Sequence, residues 1–223
     1  MFNEWLFFGS IGVVVAFLLV AVRLGQGALV ALIAVMAVLA NLFVVKQMSL
    51  FGLAVTCSDV FGVGAILGLN LLQEFFGREE ATQAVRVGFL ALLFFTAMSQ
   101  IHLLYCPLTT DGAHEAFVTI LGATPRIVLA SIGVYFVVQR LDVAVFGWLK
   151  GRFPGIPLPV RMAISLVGIQ LVDTVLFSFA GLWGIVASIA DVIVFSFLVK
   201  CLIIGCSAML IGLAKRVVGR VSV

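Results

Sequence analysis

Long, nearly unbroken runs of apolar side chains occupy most of this chain and leave it few ways to fold in water. Hydrophobic residues make up 64% of the 223 residues and charged residues only 10%, whereas a soluble domain carries about 25% charged residues. A helix that crosses a bilayer needs roughly 20 mainly apolar residues. The sequence therefore predicts an all-α, polytopic transmembrane bundle of six to seven spans with a central polar pocket, formed by residues 1–223 as one domain.

Polar or basic breaks divide the chain into seven apolar segments. We place the spans at about residues 5–22, 28–45, 59–76, 87–105, 126–149, 162–182 and 185–214. The third segment is less hydrophobic and contains Gly62, Gly64 and Gly68. We expect an interrupted or partly unwound span there, which a membrane tolerates only where protein or water meets the backbone.

The distribution of positive charge sets the predicted orientation. Lys and Arg residues follow the first, third, fifth and seventh segments and are absent from the loop at 106–125. By the positive-inside rule, this pattern predicts an external N-terminus and a cytoplasmic C-terminus. Lys46 is the exception, and it keeps a six-span arrangement open. The first segment lacks a basic region before it and a small-residue cleavage site after it, so we expect a retained span.

A small set of ionisable and amide side chains lies inside these apolar runs. A carboxylate at bilayer depth costs at least ~2.5 kcal/mol, so such groups tend to face a cavity or a partner. They form stripes, because residues three and four apart share a helix face. The stripes are Asn70, Gln73 and Glu74 in the third segment, Ser131, Tyr135, Gln139 and Asp142 in the fifth, and Gln170, Asp173, Thr174 and Phe177 in the sixth. Asp191 and Lys200 fall on opposite faces of the seventh segment, so each needs a partner from another span.

Two interpretations of these stripes stay open. Polar residues in bundles often join helices, at ~0.6 kcal/mol per pair on average. An ionised carboxylate is a costly way to join helices, which favours a functional role for Glu74 and Asp173. Asp142 lies near the cytoplasmic interface, where a solvated or loop-anchoring carboxylate is at least as consistent with the sequence. Arg126 is the first residue of the fifth segment and lies at the external interface. There, a side chain that snorkels to the membrane surface is as consistent with the sequence as a ligand-binding one.

Other classes of function find little support in the sequence. It contains no serine-hydrolase elbow, zinc-protease helix or phosphate-binding loop. Two histidines are too few for a metal centre, and the four cysteines form no C-x-x-C pair. No basic run with interleaved aromatics indicates a nucleic-acid partner. We therefore expect a non-enzymatic protein with no cofactor and no nucleic-acid partner.

Several of these runs resemble one family of membrane transporters. The matching runs are residues 40–46 with Phe51-Gly52, residues 73–77 (Gln-Glu-Phe-Phe-Gly), residues 125–131 with Tyr135, Gln139 and residues 141–146, residues 170–177, and Lys200. Over about residues 27–215 they are similar to the queuosine precursor transporter family of vitamin-uptake-type membrane proteins. The chain departs from the family pattern at Asp59 and Asn70, where a carboxylate and an amide have exchanged places.

The resemblance implies import of 7-deazaguanine bases such as preQ0, preQ1 or queuine across the bacterial plasma (inner) membrane, for salvage into tRNA modification. Glu74 or Asp173 would accept the adjacent N–H donors of the guanine-like edge as a bidentate pair. Asp59 would hold a cationic aminomethyl arm, and Tyr135 and Phe177 would stack on the planar ring. The expected substrate-binding residues are Asn41, Asp59, Asn70, Glu74, Arg126, Tyr135, Gln139, Gln170, Asp173, Phe177 and Lys200.

Other assignments stay open beside this one. The chain fits a substrate-capturing membrane subunit of a multi-component vitamin importer, with any ATPase supplied by another chain. An intramembrane enzyme or a structural subunit is the rival from a different class. The expected partners are a small planar deazapurine-like substrate and the lipid bilayer, while a homo-oligomer or an ATPase partner is left undecided.

Overall fold

A computed structural model describes residues 2–44, 46–108, 110–122, 125–184 and 189–218. Within these ranges the chain forms eight α-helices, one π-helical turn and one β-hairpin. In chain order the elements are α1 (Phe2–Leu24), α2 (Gln26–Leu42), β1 (Gln47–Leu50), β2 (Leu53–Thr56), α3 (Asp59–Phe75), α4 (Arg78–Leu103), α5 (His114–Leu121), α6 (Pro125–Arg152), α7 (Leu158–Phe177), the π turn (Ser178–Leu182) and α8 (Ile189–Val218).

The helical class predicted from the apolar segments is confirmed, and each segment contains one helix. Within the described residues, five stretches are long and apolar enough to cross a membrane: Phe2–Leu24, Arg78–Leu103, Leu129–Arg152, Leu158–Gly181 and Val192–Leu210. α2 and α3 have 17 residues each, which is about 26 Å at 1.5 Å per residue against a hydrocarbon core of ~30 Å. The predicted start of the seventh segment, at 185, lies outside the described residues.

The outer surface of the bundle is apolar, as contact with lipid requires. Leu90 and Phe94 on α4 are 66% and 67% exposed, and Leu129 on α6 is 70% exposed. A water-soluble monomer rarely exposes a continuous apolar surface of this kind. Several polar side chains of the apolar segments are instead buried, among them Asn70, Gln139 and Gln170, and Asp142 has no exposed surface at all.

The third segment is a continuous helix, so the predicted interruption is wrong. α3 runs unbroken from Asp59 to Phe75. Its glycines serve close packing: a Cβ on Gly68 would lie 2.8 Å from Ile33 Cγ1 and 3.0 Å from Leu18 Cδ2. Small residues four apart let helix backbones approach closely in membranes, and this brings α3 against α1 and α2.

The hairpin marks one end of the bundle. β1 and β2 pair antiparallel across a two-residue turn at Phe51 and Gly52, both with positive φ (51° and 81°), as type I′ hairpins require. Asn3 Nδ2 donates to the Ser49 carbonyl at 3.0 Å, which ties the start of α1 to this hairpin.

Short connections make successive helices run in opposite directions, so two ends can be distinguished. The hairpin end contains the hairpin, α5, the start of α6, the π turn and the start of α8. The basic end contains the turn between α3 and α4 and the connector between α6 and α7, and it carries Arg23, Arg78, Lys150, Arg152 and Arg161. The positive-inside prediction assigns the basic end to the cytoplasm.

Candidate functional site

A cavity of about 230 Å³ lies among the helices in the half of the bundle nearer the hairpin end. Its walls come from the end of α2, the start of α3, the ends of α4 and α5, the first half of α6, the second half of α7 and the first half of α8. The polar residues among its lining are Asn41, Thr56, Ser58, Asp59, Thr96, Ser99, Gln100, Ser131, Tyr135, Gln139, Gln170, Asp173, Thr174, Ser178, Ser196 and Lys200.

Eight of the eleven residues expected to bind substrate line this cavity. They are Asn41, Asp59, Tyr135, Gln139, Gln170, Asp173, Phe177 and Lys200. Asn70 and Glu74 are not among its lining residues, and the Arg126 side chain lies outside the described part of the chain. The α7 stripe and the first three residues of the α6 stripe therefore face one space, together with Asn41, Asp59 and Lys200. Asp142, the last residue of the α6 stripe, and the stripe of α3 do not line it.

Lys200 is held by α7 across the cavity wall. Its Nζ donates to Asp173 Oδ2 at 2.6 Å and to Thr174 Oγ1 at 3.1 Å. The side chains of Lys200 and Asp173 are 10% and 28% exposed. This contact supplies the partner from another span that the position of Lys200 required, and it leaves an ammonium donor and a carboxylate acceptor side by side at the cavity.

Asp59 brings a second carboxylate to the same wall. Its electrostatic partners are Lys200 and Asp173, and its carboxylate makes no hydrogen bond within the described residues. When all three groups are ionised, two carboxylates and one ammonium leave one net negative charge. Such a site attracts a ligand that carries N–H donors or a positive charge.

Amide and hydroxyl groups complete the polar lining. Ser131 Oγ donates to Asn41 Oδ1 at 2.6 Å, which joins α2 to α6. Gln139 Oε1, Gln170 Oε1 and the Tyr135 hydroxyl are buried and have no hydrogen-bond partner in the described protein. A buried polar atom without a hydrogen-bond partner destabilises the folded protein by about 1–3 kcal/mol. These three groups are therefore suited to hydrogen-bond a ligand or bound water.

A glycine on α4 makes room for Tyr135. A Cβ on Gly88 would overlap the Tyr135 hydroxyl oxygen and lie 3.2 Å from its Cζ. The phenol ring therefore rests against bare backbone of α4 at the edge of the cavity. Any larger residue at position 88 would force the ring to move.

Glu74 belongs to a different site, at the basic end. Its Oε2 lies 2.5 Å from Arg161 Nη2 and 3.3 Å from Lys150 Nζ, so it joins the end of α3 to the start of α7 and the end of α6. Arg161 is 4% exposed, and its guanidinium also lies over the Phe146 ring at 5.4 Å. The pattern of the α3 stripe is correct, but its carboxylate faces two cations and not the cavity.

Asn70, Asp142 and Ser165 form a second layer, one helical turn inward from Glu74 and Arg161. Ser165 Oγ donates to Asp142 Oδ1 at 2.9 Å, and all three residues are at most 1% exposed. Asn70 lies beside the Asp142 carboxylate, but its amide atoms make no well-formed hydrogen bond. Asp142 is thus neither solvated nor anchored to a loop.

The sequence interpretation missed the roles of Arg161 and Ser165. Arg161 counted there only as one of the basic residues that follow the fifth segment. A signal was present, because Arg161 and Ser165 are four residues apart and share a face of α7. The spacing does not say which carboxylates they meet.

Comparison with known proteins identifies the family. Residues 56–214 match the family described as "Putative vitamin uptake transporter". The chain is also 36% identical over 188 residues to the "Probable queuosine precursor transporter" of Bacillus subtilis (strain 168), an alignment that covers 83% of this chain and 82% of the relative. No solved structure matches the chain. The family and relative names are those of transporters, which agrees with the several apolar helices of a multi-pass integral membrane protein. The chain therefore belongs to the queuosine precursor transporter family of vitamin-uptake-type membrane proteins, and it is a transporter and not an enzyme.

Proposed function

We propose that this protein imports a queuosine precursor, a 7-deazaguanine base such as preQ1, and that the cavity near the hairpin end binds it. The substrate named for the Bacillus subtilis relative supports the choice of compound. The observation that carries the proposal is the set of polar groups from α2, α3, α6, α7 and α8 that line one cavity.

The Lys200–Asp173 pair fits the lactam edge of a guanine-like ring. That edge presents a carbonyl oxygen next to an N1–H and an exocyclic amine. Lys200 Nζ is a donor and Asp173 an acceptor, and they lie 2.6 Å apart, so they match the carbonyl and the N–H groups respectively. Thr174, which also contacts Lys200, would fix the ammonium in this position.

Asp59 then takes the positive charge of the substrate. The aminomethyl arm of preQ1 is cationic at neutral pH, and the cavity carries one net negative charge when Asp59, Asp173 and Lys200 are all ionised. An ammonium–carboxylate contact at Asp59 neutralises the complex. The nitrile of preQ0 carries no charge and gains nothing from this contact, so the arrangement favours preQ1.

The remaining lining groups fit the other faces of the ring. Gln139 Oε1 and Gln170 Oε1, which lack partners, would accept from ring N–H groups. Tyr135 and Phe177 supply aromatic surfaces for the planar bicycle. Each of these groups projects from a long helix and not from a loop, which holds it in position when the substrate is absent.

The same proposal covers the membrane arrangement. We infer that α2 and α3 are embedded in the membrane together with the five longer helices, which gives seven membrane helices with an external N-terminus and a cytoplasmic C-terminus. The cavity then lies on the external side, and the Glu74–Arg161 contact closes the cytoplasmic side. This is the arrangement of an importer waiting for substrate from outside.

Complementation tests the proposal. The chain is expressed in a bacterial strain that neither makes nor imports deazaguanines, and preQ0, preQ1 or queuine is supplied in turn. Queuosine in tRNA is then measured, and we expect it to return with the wild-type protein. Asp173→Asn should abolish this, because it leaves Lys200 without its carboxylate.

Glu79→Gln is the matched control, since Glu79 is an exposed carboxylate on α4 at the basic end. Membrane content of each variant is measured by immunoblot. Absence of queuosine with every precursor, at normal membrane content of the wild-type chain, would reject the function. Normal uptake by Asp173→Asn would reject the site.

A further inference from the structure

The buried carboxylate of Asp142 has no role in the cavity and no obvious partner for one of its oxygens. It is 0% exposed, and it lies about 15 Å along α6 from Arg152 at 1.5 Å per residue. Oδ1 accepts from Ser165, whereas Oδ2 is buried without a hydrogen-bond partner in the described protein. Asn70, also 0% exposed, lies beside this carboxylate, and its amide makes no well-formed hydrogen bond in the described protein.

No cation in the described part of the chain forms an ion pair with Asp142. Within the described residues, no Lys or Arg nitrogen lies within 4.0 Å of its carboxylate. The charged groups on the helices around it at this end are Glu74 on α3, Arg78, Glu79, Glu80 and Arg86 on α4, Lys150 and Arg152 on α6 itself, and Arg161 on α7. Arg161 and Lys150 are both engaged with Glu74. An ionised carboxylate in this position would be an unpaired charge in a nonpolar interior, which is strongly unfavourable.

A proton removes the unpaired charge. On Oδ2 it makes Asp142 neutral and turns that oxygen into a donor. A metal ion would need a fuller shell of oxygen ligands than the side chains of Asp142, Asn70 and Ser165 provide. The local chemistry therefore fits a proton better than a cation such as Na⁺.

The position of Asp142 links it to both ends of the transporter. Gln139, which lines the cavity, is one turn before it on α6. Ser165, its hydrogen-bond donor, is one turn after Arg161 on α7, and Asn70 is one turn before Glu74 on α3. Asp142 thus lies between the substrate cavity and the Glu74–Arg161 contact that closes the basic end.

We propose that Asp142 binds the proton whose movement down its gradient drives substrate uptake. With the proton bound, Asp142 is neutral and Arg161 remains with Glu74. On release, the O–H bond of the carboxylic acid breaks, and water at the basic end accepts the proton. The carboxylate that remains attracts Arg161, whose Nε is buried without a partner. Movement of Arg161 away from Glu74 separates α7 from α3 and opens the cavity towards the basic end.

The first experiment uses purified full-length protein in liposomes, with membrane potential clamped and preQ1 as the probe. An inward proton gradient should make the wild-type protein accumulate preQ1, and an inward sodium gradient should not. Asp142→Asn, which resembles the protonated acid and so keeps Arg161 with Glu74, should lose gradient-driven accumulation and exchange of labelled for unlabelled preQ1, but should still bind preQ1 in detergent. Accumulation by Asp142→Asn in response to the proton gradient would overturn the proposal, as would wild-type accumulation driven by sodium alone.

The positioning residue Ser165 gives a prediction with a definite sign. Ser165→Ala removes a donor to the ionised form, so the pH at half-maximal uptake should rise by about one unit, and proton coupling should persist because the carboxylate remains. A merely structural role would lower uptake at every pH without moving the midpoint, and this outcome would contradict the proposal.

A measurement without substrate separates this proposal from the substrate assignment on which the uptake assays rest. Infrared difference spectra of the wild-type protein across pH should contain the carbonyl band of a protonated carboxylic acid, and Asp142→Asn should lack it. If preQ1 is not transported but this band is present and depends on Asp142, the substrate is wrong and the proton site stands. If preQ1 is transported and the band is unchanged in Asp142→Asn, the proton site is wrong.

Discussion

Replacing Asp59 with asparagine should weaken the binding of a cationic precursor and leave a neutral one almost unaffected. The substitution keeps the size of the side chain and removes its charge. Asp59 makes no hydrogen bond within the described residues, so the change breaks no hydrogen bond there. What it alters is the charge of the cavity, which becomes neutral instead of singly negative.

The size of the effect follows from the contact that is lost. A hydrogen bond to a charged group contributes about 1.5–3 kcal/mol, which corresponds to roughly a 10- to 150-fold change in Kd. We expect Asp59→Asn to raise the Kd of preQ1 within that range. The Kd of preQ0 should change by less than about threefold, because a nitrile has no ammonium to lose.

Binding is measured by isothermal titration calorimetry on purified protein in detergent, with both ligands on the same preparation. Each ligand is then a control for the other, and Glu79→Gln controls for the loss of a carboxylate far from the cavity. An equal loss of affinity for preQ1 and preQ0 would mean that Asp59 contacts the ring and not the aminomethyl arm. An unchanged preQ1 Kd would remove Asp59 from the site.

Two further substitutions test the packing around the two polar sites. Gly88→Ala should displace the Tyr135 ring and weaken preQ1 binding by roughly tenfold, the equivalent of about 1.4 kcal/mol. Gly133→Ala is the control, because a Cβ at position 133 meets no atom within 4 Å, and this variant should bind preQ1 with normal affinity. Equal affinities of the two variants would show that Tyr135 does not contact the ligand. Arg161→Met should lower the free energy of unfolding by up to ~3 kcal/mol, because Glu74 is left with Lys150 as its one cationic partner. The double variant Arg161→Met with Glu74→Gln should recover most of this stability, as measured by thermal denaturation. Additive losses in that double variant would argue against a direct pair.

The sequence determined the helical class and the positions of the seven helices that lie in the apolar segments, because both follow from local properties. It did not predict α5, which lies in the expected loop at 106–125. The length of an apolar run decides whether a helix can lie in a bilayer, and no distant residue is needed to read it. The polar stripes of α6 and α7 could also be predicted from the sequence, because residues three and four apart share a helix face whatever the position of the helix in the fold. Ser131, Tyr135, Gln139, Gln170 and Asp173 accordingly line one cavity.

Tertiary structure alone decided what each stripe faces. Glu74 and Asp173 look alike in sequence, as carboxylates within polar stripes, yet Glu74 pairs with Arg161 at the basic end and Asp173 with Lys200 at the cavity. Periodicity fixes the faces of one helix relative to each other, but not the rotation of that helix against its neighbours. That rotation is set by packing between helices, such as the close approach of Gly68 on α3 to Ile33 on α2, and it decided that the α3 stripe turns away from the cavity near the hairpin end.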